Sequence, residues 1–337
     1  MLERAGVGAR KLGLALRRSA DENQTLKQGY RWLARRYRWV SGTGIKPENI
    51  VWIFGSARSG STWLRNMMKD LANHQLWEEP LVGQLFGDFR NRVPEVELRR
   101  HDFVMSDATR EGWTRAIRNF VLDCASYSRP TLSSDNYLVI KEPNGSIGAP
   151  LMMEALPESR MILLVRDPRD IVASMLDGAR EGGWMYERRE GSDDWRRRTR
   201  ADKDPDTFIR NRSQKYLQHA SSAKSAYDAH EGKKVLVRYE ELRADTLGTM
   251  KRMYSELGIP VDEEELERVV EKHSWENIPE EEKGEGKFYR KASPGSWRED
   301  LTPEQAEAIE RITAPLMKDL YPHEVLSENL GTSNGDR

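Results

Sequence analysis

A short loop rich in glycine and serine, residues 55–63 (GSARSGSTW), joins an apolar run to a predicted helix. Gly55 and Gly60 lie five residues apart and allow a tight turn whose backbone N–H groups point at an anion. The N-terminus of the following helix adds about half a positive charge at the same place. The loop therefore predicts a binding site for a phosphate group, with Arg58 as a cation inside it.

The loop has the glycine spacing of the Walker A pattern, GxxxxGK[ST], with one departure. Ser61 occupies the position of the lysine in that pattern. Because the lysine normally reaches the β- and γ-phosphates of a nucleotide, its absence argues against ordinary nucleotidase chemistry. The cation of this loop is instead Arg58, which lies between the two glycines. Ser61 and Thr62 provide hydroxyl groups, as the pattern's last position does.

A second candidate segment, RDPRD, follows the apolar run Met161–Val165 and begins at Arg166. Asp167 and Pro168 are typical of the start of a helix. Ser174 then falls about two turns into that helix. An arginine at a strand end and a serine on the next helix can hold a second phosphate between them. Taken alone, the segment is explained equally well as a capped junction between a strand and a helix.

A third candidate is the turn-rich stretch RKASPGSWR at residues 290–298. Arg290 and Lys291 stand side by side there, ahead of a helix predicted to start near Thr302. Alone, this pattern is typical of a flexible basic loop.

Taken in order, the three segments resemble the cofactor-binding motifs of the sulfotransferase family, which uses 3′-phosphoadenosine 5′-phosphosulfate (PAPS). The family's 5′-phosphosulfate loop reads PKSGTTW, where this chain has ARSGSTW at 57–63. Its 3′-phosphate motif pairs an arginine with a serine eight residues on, as Arg166 and Ser174 do. Its C-terminal motif, RKGxxGxWK, corresponds to RKASPGSWR. Two further matches are YEE at 239–241, for YED, and HSW at 273–275, for TSF.

The resemblance implies a role for each matching residue. The residues that would hold the 5′-phosphosulfate are Arg58, Ser59, Gly60, Ser61 and Thr62. The residues that would bind the 3′-phosphate are Arg166, Ser174, Arg290 and Lys291. Trp63 and Trp275 would flank the adenine, where a stacked base contributes about 1–3 kcal/mol, and Tyr239 would touch the adenine edge.

The chain departs from the family at two of these positions. Arg58 replaces the lysine of the cytosolic branch, and it can act as a fixed charge on the leaving phosphate but not as an acid. Ala292 replaces a glycine, which would restrict the loop if that position requires a positive φ.

The acceptor needs a base, and here the chain departs from the cytosolic branch again. That branch takes its base from a K-x-H motif, which corresponds to KEP at 141–143 and so lacks the histidine. Branches that act on protein tyrosine or carbohydrate place a glutamate about twenty residues after the loop cation, as Glu79 is placed here. We predict Glu79 as the general base, with Glu78 or Glu142 as alternatives. Lys141 would help to hold the sulfuryl oxygens.

Alternating strands and helices must position these residues. The apolar runs that predict buried strands are Ile50–Phe54, Tyr137–Ile140, Met161–Val165 and Val235–Val237. Helices are expected at about 62–72, 148–156, 170–179, 207–230, 246–257 and 262–272. This alternation predicts an α/β fold, a three-layer sandwich with a central parallel sheet flanked by helices. The resemblance makes it the P-loop-like, nucleotide-kinase-like sulfotransferase fold.

The composition of the chain argues against several classes of protein and of binding site. The 337 residues carry a net charge of -1, so the chain has no overall basic field for nucleic acid. One cysteine, Cys124, excludes an internal disulfide framework and a cysteine-based zinc site. No His, Asp and Glu cluster has ligand spacing, and we predict no metal. No apolar stretch approaches the roughly 18 residues of a membrane-spanning helix. We expect a cytoplasmic protein.

The sulfotransferase domain is predicted over residues 49–330, between a basic extension (1–48) and a disordered tail (331–337). Apolar residues recur at spacings of three and four in the extension, which predicts an amphipathic helix. That helix either packs on the domain or lies peripherally on an acidic membrane surface or an acidic partner. Its arginine-rich, acid-poor composition is also that of a transit peptide. The polar segment 180–205 is expected to form a mobile loop or lid.

The sequence thus predicts a PAPS-dependent sulfotransferase that transfers a sulfuryl group by in-line displacement to a hydroxyl or amine, leaving adenosine 3′,5′-bisphosphate (PAP). Two alternatives are a P-loop kinase or nucleotide phosphotransferase and a non-catalytic protein that binds PAPS. Carbohydrate, lipid, small-molecule and protein-tyrosine acceptors all stay open, and the charges of residues 180–205 favour an anionic or large polar one.

Overall fold

The structure of the chain, a computed structural model, describes residues 45–187, 201 and 203–321. Within these residues a parallel sheet of five strands forms the centre. The strands are β1 (Ile50–Gly55), β2 (His74–Glu78), β3 (Tyr137–Lys141), β4 (Arg160–Val165) and β5 (Lys234–Arg238). Their order across the sheet is β2-β3-β1-β4-β5, and each neighbouring pair is parallel.

The central strand β1 is buried along its whole length. Its sequence is apolar at almost every position because helices cover both faces of the sheet. Successive side chains of a strand point to opposite faces, so Trp52 and Phe54 join one apolar cluster while Val51 and Ile53 join the other. The predicted three-layer α/β sandwich is confirmed.

Two layers of helices enclose the sheet. The helices are α1 (Ser61–Asp70), α2 (Val82–Arg92), α3 (Glu95–Leu98), α4 (Arg110–Ser128), α5 (Ala149–Ala155), α6 (Pro168–Ala179), α7 (Trp184–Glu187), α8 (Pro205–Ala229), α9 (Tyr239–Ala244), α10 (Thr246–Leu257), α11 (Glu263–Lys272), α12 (Trp297–Asp300) and α13 (Pro303–Leu320). One face packs against α4, α5, α8 and α13, and the other against α1, α10 and α11.

Local signals explain where several helices begin. The carboxylate of Asp167 accepts a hydrogen bond from the backbone N–H of Arg169 at 2.8 Å, and Pro168 occupies the first turn of α6. Thr302 and Gln305 form a capping box at the start of α13. The Asp167 cap fixes the junction between β4 and α6, where Arg166 lies.

The four predicted strands are confirmed, but the sequence analysis missed the edge strand β2 and the helices α2 and α4. Strand β2 reads HQLWE and is mostly half-buried, so it lacks the apolar run that marks its neighbours. Most of the predicted extension (residues 1–44), part of the predicted lid (188–200 and 202) and the predicted tail lie outside the described residues. Of the helices that the structure describes, none is long and apolar enough to span a bilayer.

Candidate active site

The carboxyl ends of the five strands open into one cavity of about 1500 Å³. Functional sites of parallel sheets form at this edge because the loops after the strands converge there. The residues contributed after each strand are Arg58 (β1), Glu79 (β2), Asn144 (β3), Arg166 (β4) and Tyr239 (β5). All site residues predicted from the sequence line this cavity except Ser59 and Glu142.

The phosphate loop turns through two left-handed residues, Arg58 with φ 71° and Gly60 with φ 90°. Gly60 precedes the first residue of α1, and a Cβ atom there would lie 2.5 Å from the ring of Tyr239. Only glycine therefore fits. The buried hydroxyl of Ser59 donates to the carbonyl of Ser56 at 2.7 Å, so Ser59 supports the loop from beneath.

Arg58 is held by an aromatic and polar surround. Its guanidinium lies 4.6 Å from the ring centre of Phe288 and 5.2 Å from that of Trp184. Its Nε donates to the hydroxyl of Ser174 at 3.0 Å. Burial and the neighbouring Arg166 lower the pKa of Arg58 to about 10, so the side chain stays charged at neutral pH. The loop thus carries a fixed, oriented cation.

Arg166 lies next to Arg58 at the end of β4. Its Nη1 donates to the carbonyl of Arg58 at 3.2 Å, and its guanidinium stacks 4.2 Å from the ring centre of Tyr239. Its Nη2 lies 3.8 Å from the carboxylate of Asp170. Its buried Nε has no hydrogen-bond partner among the described residues. A buried donor left in this state is costly, and an anion in the cavity would satisfy it.

The third basic segment, residues 290–298, forms ion pairs with acidic side chains. Arg290 is nearly buried between Asp177, 3.4 Å from its Nε, and Asp300. Lys291 contacts Glu299 at 2.6 Å, and this hydrogen bond is the main cause of its raised pKa. These ion pairs bring both cations to the cavity wall in defined positions.

The loop that follows these cations has a strained residue. Ala292, which stands where the family has glycine, adopts φ 51°. Its carbonyl accepts hydrogen bonds from the hydroxyl of Tyr239 at 3.2 Å and from Arg243 at 3.3 Å. The position does require a positive φ, and these two donors hold it there.

The three aromatic side chains for which an adenine contact was predicted line the cavity. The indole of Trp63 donates to the carbonyl of His273 at 2.7 Å and meets the ring of Tyr239 edge-on at 6.2 Å. Trp275 lies under the ammonium of Lys283, 5.2 Å from its ring centre. Trp63 and Tyr239 are thus in contact, and Trp275 lines the same cavity.

Glu79 and Lys141 form an ion pair in the wall of the cavity. The ammonium of Lys141 donates to Glu79 Oε1 at 2.6 Å and to the hydroxyl of Thr62 at 3.2 Å. Asn144 donates to Glu79 Oε2 at 2.9 Å. Glu79 has φ 42°, and its N–H donates to the carbonyl of Lys141 at 2.9 Å. Both carboxylate oxygens are thus oriented, and the base candidate is joined to the phosphate loop through one cation.

The other two glutamates differ in position. Glu78 lines the cavity and pairs with Arg65 at 2.7 Å and with Lys141 at 3.5 Å. Glu142 is fully buried, and its Oε1 accepts from the N–H of Val82 at 2.9 Å, at the start of α2. Burial raises the pKa of Glu142 to about 7. Glu142 lies beneath the cavity and caps a helix, while Glu78 and Glu79 face the cavity.

Sequence reasoning missed the contribution of α8. Four of its residues line the cavity: Arg212, Lys215, Tyr216 and His219. The Tyr216 hydroxyl donates to the carbonyl of Arg166 at 3.3 Å. The ring Nδ1 of His219 lies 3.5 Å from the carbonyl of Pro143. The signal was present, because these residues recur at spacings of three, four and seven, which is one face of a helix.

The cavity is strongly cationic. Among the described residues, nine arginine and lysine side chains and three acidic side chains line it. Asp177, Glu299 and Asp300 pair with two of these cations, Arg290 and Lys291, from behind the lining. In the described part of the chain, no three side chains of His, Cys, Asp or Glu converge as metal ligands would. The arginine and lysine side chains of the lining attract anions.

Comparison with known proteins places this arrangement in context. The family profile of the sulfotransferase domain matches residues 48–321. Cytosolic sulfotransferase 16 of Arabidopsis thaliana is 25% identical over 285 residues, which cover 78% of this chain and 74% of that protein. Cytosolic sulfotransferase 17 of the same plant is 25% identical over 302 residues, with 78% and 73% covered.

Solved structures show the same fold. Mouse sulfotransferase SULT7A1, crystallised with PAP, superposes with a TM-score of 0.50 at 15% identity, covering 83% of this chain and 89% of that one. Sulfotransferase STF9 from Mycobacterium avium gives a TM-score of 0.50 at 13% identity, with 88% and 84% covered. At such identities the likeness concerns the fold alone.

Proposed function

The chain belongs to the sulfotransferase domain family, and on that premise we propose that it transfers the sulfuryl group of PAPS to an acceptor hydroxyl. The position of Lys141 is the observation that carries the proposal. Its ammonium lies 3.2 Å from the Thr62 hydroxyl of the phosphate loop and 2.6 Å from Glu79. One cation therefore joins the predicted donor site to the predicted base, where the sulfuryl group would pass between them.

The cavity suits a donor with two anionic ends. The loop around Gly60 and the start of α1 would hold the 5′-phosphosulfate, with Arg58 as the fixed charge. The unsatisfied Nε of Arg166 and the cations Arg290 and Lys291 would hold the 3′-phosphate. Mouse SULT7A1 was crystallised with PAP, the product of such a donor, which supports the choice of PAPS.

The chemistry is a displacement at sulfur. PAPS supplies an activated sulfur–oxygen bond whose cleavage leaves PAP. The acceptor oxygen forms a bond to sulfur as the bond from sulfur to the phosphate oxygen breaks, and that oxygen keeps the electron pair. Glu79 takes the hydroxyl proton as general base, and Arg58 stabilises the charge that develops on the leaving phosphate. Lys141 holds Glu79 before the reaction and lies within reach of the transferred group.

We propose Glu79 rather than Glu78 or Glu142 as the base. Glu79 has both oxygens oriented by Lys141 and Asn144. Glu142 does not line the cavity, and a base must come within hydrogen-bond reach of the proton it removes. Glu78 accepts a hydrogen bond from Arg65 instead.

We also propose that the reaction takes place in the cytoplasm. The two Arabidopsis relatives are named cytosolic sulfotransferases.

Two measurements test the proposal. In thermal unfolding, PAP is expected to raise the midpoint at micromolar concentrations, while ATP with magnesium has little effect. ATP binding without PAP binding would favour the kinase alternative and contradict the proposal. The second measurement is transfer of radiolabelled sulfate from PAPS to a panel of phenols, sugars, lipids and peptides. PAP binding with no transfer to any acceptor would favour the non-catalytic alternative.

A further inference from the structure

We propose that the acceptor carries an anionic group, and that Arg212, Lys215 and His219, here called the basic face of α8, line its binding site. The group is a carboxylate, sulfate or phosphate on the same molecule as the reacting hydroxyl. This inference rests on the proposed sulfuryl transfer and adds the chemical class of the acceptor.

The basic face begins beside the proposed base. The ring of His219 lies 3.5 Å from the carbonyl of Pro143. The next residue, Asn144, donates to Glu79 at 2.9 Å. Helix α8 also packs against the turn at residues 146–148, which follows β3. The His219 end of the face is therefore on the acceptor side of the cavity, next to the group that would take the proton.

The two permanent cations lie further along the same face. Lys215 and Arg212 precede His219 by four and seven residues, which is about 6 Å and about 10 Å along a helix axis. Burial is the main cause that lowers the pKa of His219, so Lys215 and Arg212 carry the charge of this face at neutral pH. An acceptor whose anion is several ångströms from its hydroxyl can contact Glu79 and these cations together.

The basic face is separate from the elements proposed to hold the donor. Arg212, Lys215 and His219 line the cavity, and the three elements proposed to hold the donor do not include α8. A cationic wall of this kind attracts an anionic substrate and disfavours a cationic one.

The test compares acceptors that differ in charge alone. Three matched pairs serve: p-coumarate and p-coumaramide, p-hydroxybenzenesulfonate and its sulfonamide, and phenyl glucuronide and phenyl glucuronamide. We expect the acid to have a kcat/KM about tenfold or more above its neutral partner in at least one pair, as for a charge-assisted contact. The pairs also distinguish a carboxylate from a sulfonate as the anion.

Variants on one helix locate the contact. Lys215→Met is expected to reduce the ratio of acid to neutral kcat/KM about tenfold, mainly through KM, and Lys215→Arg is expected to retain it. Lys224→Met is the matched control, because Lys224 belongs to the same helix, does not line the cavity and pairs with Asp228 at 2.6 Å. The ratio of acid to neutral kcat/KM for Lys224→Met should equal that of the wild type.

Several results would overturn the inference. These are equal or better activity on the neutral member of every pair, transfer to none of the acids, and a charge preference that survives Lys215→Met. Weaker PAP binding by folded Lys215→Met would assign the face to the donor and overturn it as well. PAP binding by the wild type distinguishes these failures from failure of the proposed function, which predicts that PAP binds whatever the acceptor is.

Discussion

The Nε of Arg58 donates a hydrogen bond to the hydroxyl of Ser174 at 3.0 Å. The sequence analysis assigned these residues to opposite ends of the donor, Arg58 to the 5′-phosphosulfate and Ser174 to the 3′-phosphate. Their direct contact shows that the phosphate loop and helix α6 meet at one point. Arg166 contacts the same loop through the carbonyl of Arg58, so the two segments proposed to bind the donor form one connected unit.

Arg58 and Arg166 are nevertheless expected to fail differently. Arg58→Ala should lower kcat about 10²–10³-fold, because the lost cation stabilises charge that develops on the leaving phosphate. Arg166→Ala should raise the KM for PAPS about ten- to a hundredfold with kcat nearly kept, because the 3′-phosphate is equally charged in ground and transition states. Initial rates at saturating acceptor with varied PAPS measure both. The reverse pattern would exchange the two assignments.

Glu79→Gln should lower kcat about 10²-fold or more while PAP binds as in the wild type, because the amide keeps the shape of the side chain but cannot take a proton. Glu78→Gln is the control on the neighbouring residue, and we expect a much smaller effect because Glu78 pairs with Arg65. Measuring kcat and PAP affinity for both variants shows which glutamate is the base. A large loss for Glu78→Gln with an active Glu79→Gln would move the base to Glu78.

The buried carboxyl of Glu142 should make stability depend on pH. Burial raises its pKa from 4.5 to about 7 in the folded chain. Between these values the folded state keeps a proton that the unfolded state has lost, so the free energy of unfolding falls as pH rises from about 4.5 to 7. The decrease relative to Glu142→Gln should approach about 3 kcal/mol. Urea unfolding of both proteins at pH 5 and pH 8 measures it, and parallel pH profiles would contradict it.

Gly60→Ala should abolish PAP binding, because Gly60 has φ 90° and a Cβ would lie 2.5 Å from the ring of Tyr239. Gly112→Ala is the matched control. It lies within α4 with nothing within 4 Å of the added methyl group, and it should stabilise the protein by about 0.5–1 kcal/mol. Calorimetric PAP titration and thermal unfolding compare the two. Normal PAP affinity in Gly60→Ala would show that the loop does not need this close contact.

Short-range sequence signals determined much of this protein. The strands β1, β3, β4 and β5 were predicted because buried parallel strands are continuous apolar runs, and the phosphate loop was predicted because its glycines, serines and cation are contiguous. The edge strand β2 was not predicted, because a half-buried strand contains both polar and apolar residues and lacks an apolar run. The sequence analysis stated that Ala292 would restrict its loop if the position had a positive φ. The structure shows that φ is positive there, at 51°.

Only the tertiary structure separated Glu79 from Glu142 and brought the basic face of α8 to the cavity. Glu142 adjoins Lys141 in the chain, yet its carboxyl accepts from Val82, 60 residues away, at the start of a helix that the sequence did not reveal. Lys215 is likewise distant in sequence from the phosphate loop. Which side chains share a cavity depends on how helices pack over the sheet, and that packing is set by the summed burial of many apolar residues rather than by any one motif.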